Sequence, residues 1–248
     1  MKGFVHQFRF EQRLFWRNRE AAIFVFLFPP LLYLLVAALY DGEIGGRPSA
    51  DVLLAGLLGY ACANTAFAGL AITQVVRREA GQLKRMRATP LAPATYVGAV
   101  VGSALLVYAV QMGFTTALGA AVYGASGPQA WGPLAAILVF GAVAFAGLGF
   151  GGAALIRSSE GASAVVNLVV LPMAFLSGSF GPTRDYPELL RLLAEVLPLT
   201  YLNRMLEAAY LDGISPLNDP VGLAVVAAWG LGGLFVAARA FSWSPHEA

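Results

Sequence analysis

RREAGQLKRMRATPL, residues 77–91, is a basic, helix-compatible run set between two apolar segments. Residues 52–76 and 95–123 on either side of it contain no Asp, Glu, Lys or Arg. At 1.5 Å per residue each exceeds the roughly 20 residues that about 30 Å of hydrocarbon requires. A compact charged element between two such runs is a loop at a membrane surface, open to whatever docks on that side. Composition agrees: the chain is 58% hydrophobic and 12% charged, with a mean hydropathy of +0.69. No water-soluble fold hides that much apolar surface. Cys62 is the lone cysteine, which excludes a disulfide framework or thiolate metal cluster.

Working outward, six spans are expected at 21–40, 52–76, 95–123, 133–156, 162–180 and 220–241. The first is too long, and lacks the small-residue site, for a cleaved signal peptide. Positive charge then separates by side. Lys2, Arg9, Arg13, Arg17 and Arg19 precede the first span, and Arg77, Arg78, Lys84, Arg85 and Arg87 lie at the loop. Arg157 and Arg239 fall on the same side, leaving Arg47, Arg184, Arg191 and Arg204 opposite. The positive-inside rule places both termini and the loop in the cytoplasm. The expected fold is an all-α integral membrane protein, one transmembrane domain over 1–248.

Three segments qualify this scheme. Residues 2–19 carry a basic stripe (Lys2, His6, Arg9, Arg13, Arg17) and an apolar face (Phe4, Val5, Phe8, Phe15, Trp16), interrupted by Glu11 and Gln12. That suits an interfacial helix with its apolar face in lipid and its stripe near anionic headgroups, part of it facing a protein partner. Pro29-Pro30 in the first span and Pro172 in the fifth mark a packing kink or a hinge. Across 181–219, PELLRLLAEV and YLNRMLEAAYLDG read as short outer, re-entrant or interfacial helices. Thr200 is the candidate cap and Gly213 the stop of the second.

Other motifs weigh less. There is no G-x-x-x-x-G-K-[ST] phosphate loop. GLGFGG at 147–152 fits a dinucleotide fingerprint but lies inside an apolar span, where small residues let helices approach. GASG at 124–127 resembles an intramembrane serine protease motif, yet His6 and His246 lie outside the spans and supply no base. Without intramembrane charge there is no proton relay or charged pore ring. The polar groups within spans, among them Asn64, Thr65, Gln111 and Asn167, serve helix–helix hydrogen bonding or cargo contact.

Four motifs together resemble the membrane subunit of type-2 ATP-binding cassette (ABC) exporters. They are FWRNRE at 15–20 with FLFPPLLY at 26–33, REAGQLKRMRATPL at 78–91, NLVVLPMAFLSGSFGP at 167–182, and LPLTYLNRMLEAAYLDG at 197–213. The pattern is nearest to drug-resistance and polysaccharide or lipo-oligosaccharide export permeases. The resemblance implies two six-span subunits forming a path for ATP-driven efflux of a drug-like, lipid-like or glycolipid cargo, in a prokaryotic inner membrane. ATP and Mg would sit on a separate cytoplasmic ATPase, and this chain would bind no cofactor, metal or nucleic acid and perform no catalysis. The helix of residues 77–89 would be the coupling helix docking there through Glu79, Gly81, Leu83, Lys84, Arg85, Met86 and Arg87, with Leu83 and Met86 as apolar anchors. Phe26, Tyr60, Asn64, Phe67, Asn167, Met173 and Phe175 would line the path. The alternative is a membrane-anchored assembly protein without a transport cycle.

Overall fold

The structure, a computed structural model, describes residues 2–40, 42–184 and 186–240, without the Lys2 side chain. Phe241, the expected end of the last span, and His246 lie outside the described residues. Among the described residues six helices are long and apolar enough to cross a membrane. They are α2 (Arg19–Ala37), the Ser49–Glu79 helix, α6 (Pro93–Tyr123), α7 (Trp131–Leu155), α8 (Ser159–Leu176) and α11 (Pro220–Ala240). The chain is an all-α integral membrane protein. Local chemistry sets the helix ends. Asn18 accepts from the Ala21 amide at 3.2 Å to start α2. Gly124 closes α6 at φ 65°, and Asp219 accepts from the Gly222 amide at 2.8 Å to start α11.

Two spans end earlier than expected. α2 stops at Ala37, and a hairpin of β1 (Glu43–Ile44) and β2 (Arg47–Pro48) follows. Gly45 and Gly46 both take positive φ, 62° and 79°, the conformation a tight two-residue hairpin turn requires. α8 stops at Leu176, where the Ser177–Gly178 turn leaves the helix.

The Ser49–Glu79 helix is the central post, 83% buried over its apolar window against 22% for α2 and α11 and 28% for α8. It comprises α3 (Ser49–Cys62), a π-helical turn (Ala63–Gly69) and α4 (Leu70–Glu79). The GLGFGG run is a packing seam. A Cβ on Gly147 would lie 2.5 Å from the Gly230 carbonyl of α11, and one on Gly149 2.9 Å from the Ala66 carbonyl of the π-helical turn. Such contacts tolerate glycine only.

α1 (Lys2–Arg17) lays part of its apolar face on protein: Phe4 and Phe8 pack over Gly98 and Gly102 of α6, while Val5 and Trp16 stay exposed. α9 (Glu188–Val196) leaves Leu189, Leu192, Leu193 and Val196 exposed. α10 (Pro198–Leu211) is instead wedged among α3, α7 and α11. Pro198 opens it, and Thr200 lies inside it, donating to Ala194 O at 2.6 Å; Thr200 is therefore not its cap. The GASG segment is a pinned turn, with the Ser126 amide on Asp51 at 2.7 Å and Tyr210 donating to its carbonyl at 2.7 Å.

Candidate functional site at the base of the central helix

Three consecutive side chains at the end of α4 reach three different elements. Arg77 makes a bidentate pair with Glu11 of α1, at 3.0 and 2.6 Å, and also donates to the Tyr96 hydroxyl at 3.1 Å. Gln7 donates to the same Glu11 at 2.7 Å, and Tyr96 donates to Gln74 at 2.7 Å. Glu11 and Arg77 are both buried, so pairing and surrounding hydrogen bonds are what let the charges stay.

Arg78 turns the other way. Its guanidinium donates to Ala153 O at 2.8 Å and Ile156 O at 2.5 Å, carbonyls that the end of α7 leaves without helical partners. The residue is only 1% exposed. Glu79 accepts from Ser159 Oγ in the first turn of α8, where a carboxylate also meets the positive end of the helix dipole. α1, α7 and α8 are thus each tied to one of three neighbouring residues.

Beyond this hub the expected single helix of residues 77–89 is broken. Gly81 takes φ 67°, and α5 spans only Gln82–Arg87. Arg85 donates back to Ala80 O at 3.1 Å. Lys84, Arg85 and Arg87 are exposed and Met86 is half-buried. Leu83 is fully buried, in a cluster with Leu70, Tyr96, Val100 and Phe150. Leu83 is therefore the pin that seats α5 on its own bundle, not an anchor offered to a partner. A short helix with charge outward and one apolar pin inward, two residues from a three-way polar hub, can pass a push at its surface into several spans.

The expected lining residues divide. Tyr60 and Phe175 are joined through Phe180, at ring separations of 5.2 and 4.7 Å. Phe28 continues this ladder from Tyr60 at 6.4 Å, and Phe24 from Phe28 at 4.9 Å. Both ends, Phe24 and Phe175, are exposed, so the ladder crosses from α2 over the central helix to α8. Phe26 points elsewhere, stacking on Trp16 at 5.3 Å. Phe67 turns toward Gly152 of α7. Asn64 is buried in the π-helical turn, Met173 is buried in the core, and Asn167 is exposed on α8. Phe24, Phe28 and Phe180 escaped the sequence reading, although Phe28 stands four residues after Phe24 on one helix face.

The outer end of the ladder is fastened by polar groups. Asn203 of α10 donates to Ser177 O and Ser179 Oγ, both at 2.9 Å, and Thr200 bonds Ser177 Oγ at 3.0 Å. Among the described residues no three of His, Cys, Asp and Glu gather as a metal site.

A family model described as ABC-2 type transporter matches residues 4–211, from α1 to the end of α10. Comparison with curated proteins gives no match.

Proposed function

The chain belongs to the ABC-2 type transporter family and is a membrane-embedded permease subunit, and from that premise we propose that it works as an exporter driven through α5. A separate ATP-binding cassette subunit, holding ATP and Mg, docks on the exposed Lys84, Arg85 and Arg87. Two permease subunits, identical or homologous, line the path between them. The observation that carries this is the division of labour in α5, charge outward and Leu83 inward, next to Arg77, Arg78 and Glu79.

Closure of the ATPase on ATP moves α5. The hub hands that movement to α1, α7 and α8, and the seam beside α2, α3 and α8 opens to the far side. The aromatic ladder supplies a broad, adaptable contact surface for a drug-like, lipid-like or glycolipid cargo. The basic face is the cytoplasmic face of a prokaryotic inner membrane, with both termini on that side.

Purification of the tagged chain from its native membrane tests this reading. Wild type retains an ATPase subunit and hydrolyses ATP; a Lys84→Ala, Arg85→Ala, Arg87→Ala variant loses association or coupled hydrolysis. Absence of any ATPase after gentle crosslinking would overturn the exporter reading and leave a membrane-anchored assembly protein.

A further inference from the structure

The exposed side of α1 is not used by the hub. Gln7 and Glu11 face inward, while His6, Arg9, Arg13 and Arg17 follow one another at three- and four-residue spacing on the outside. Among the described residues the ion pairs are Arg47–Asp212 and Arg77–Glu11, so none of these four is neutralised by a carboxylate. The stripe is bordered by Phe10 on one edge and by Val5 and Trp16 on the other, exposed by 46%, 43% and 50%. Charge flanked by bare aromatic and aliphatic side chains suits a boundary between water and hydrocarbon.

The depth of α1 agrees. α6 has 31 residues, about 46 Å of helix against about 30 Å of hydrocarbon. Roughly 8 Å of α6 at each end then lies among headgroups. α1 packs on Gly98 and Gly102, and Gln12 donates to Ser103 Oγ at 2.8 Å. Those positions begin about 8 Å in from Pro93. Ser103 lies about 15 Å in, so α1 runs along the edge of the hydrocarbon, from which long arginine side chains extend outward to the headgroups.

We propose that this outer face of α1 is a binding surface for anionic phospholipid headgroups. Its occupancy presses α1 onto α6 and steadies the Glu11–Arg77 pair on the opposite side of the same helix. The proposal needs only the membrane placement of the chain and stands whether or not α5 docks an ATPase.

The test uses the full chain with Trp131, Trp229 and Trp243 changed to Phe, so that Trp16 alone reports. In vesicles of brominated phosphatidylglycerol or brominated phosphatidylcholine, mixed with the unlabelled lipid of the other class, quenching of Trp16 reads local lipid preference. The expected result is a preference of about twofold or more for phosphatidylglycerol, weakening with added salt. It collapses in R9Q/R13Q/R17Q and survives in R9K/R13K/R17K, which controls for folding. Equal quenching by the two lipids in the parent chain, or an undiminished preference in the glutamine variant, would overturn the proposal. The first result would leave the stripe to water or to an acidic protein.

Discussion

Gln111 donates through Nε2 to the backbone carbonyl of Val25 at 2.5 Å. Val25 lies four residues before Pro29, whose ring nitrogen has no hydrogen to give, so that carbonyl has lost its helical partner. The other end of the same amide accepts from Thr65 Oγ1 in the π-helical turn, at 3.1 Å. One buried side chain thus joins α2, the central helix and α6 at the two places where the helical ladder is irregular.

Replacing Gln111 with Leu leaves the Val25 carbonyl and Thr65 hydroxyl without this partner, at an expected cost of about 1–3 kcal/mol. Adding Pro29→Ala returns an amide to Val25 and recovers part of the loss. Thermal unfolding of the two single variants and the double variant in detergent gives the coupling; strict additivity would contradict the assignment.

The Glu11–Arg77 pair is buried on both sides. Removing either partner alone, as Glu11→Ala or Arg77→Ala, strands a charge and costs about 3–5 kcal/mol. The double variant is expected to lose much less than the sum, which chemical unfolding followed in a double-mutant cycle will show.

Much of this architecture was legible because spans without charge announce themselves. The glycines of GLGFGG were also readable as packing, since Gly147 and Gly149 meet backbone. The hub was harder. Arg77 and Arg78 look like loop charges that fix topology, and Glu11 like a flaw in an apolar face. Arg77 and Glu11 meet across 66 residues, and Arg78 reaches the Ala153 carbonyl across 75, beyond any periodicity. The burial of Leu83 and the turn of Phe67 toward Gly152 were hidden for a related reason: residue type suggests an anchor or a lining, but only packing decides which way a side chain turns. Pro29 did carry a usable signal, because a proline inside a membrane helix implies a donor elsewhere for the carbonyl four residues earlier.

Gly147→Ala places a methyl group against the Gly230 carbonyl and must part α7 from α11. A loss of about 1–3 kcal/mol is expected, whereas Gly113→Ala, with open space around it, is expected to be neutral or stabilising. Comparing their melting temperatures separates close packing from a general effect of glycine replacement.

On the face opposite the basic loop, burial raises the Glu207 carboxyl above its ordinary value; Arg47 and Arg184 oppose the shift and Asp212 adds to it. A raised folded-state value means the protonated form favours folding at acid pH. That contribution is lost as pH rises through the raised value. Glu207→Gln therefore flattens the pH dependence of unfolding in the acid range and stabilises the chain at neutral pH. An unchanged slope of melting temperature against pH would contradict this.

The most direct measurement is site-directed crosslinking from α5 in native membranes. With Cys62 changed to Ala, a single cysteine replaces Arg85 in one variant and Leu83 in another. Arg85→Cys is predicted to crosslink to an ATP-binding cassette subunit, and Leu83→Cys, facing the bundle, to remain unlinked. Equal crosslinking at both positions, or none at Arg85→Cys while the chain stays folded, would contradict α5 as an inwardly pinned, outwardly docking coupling helix.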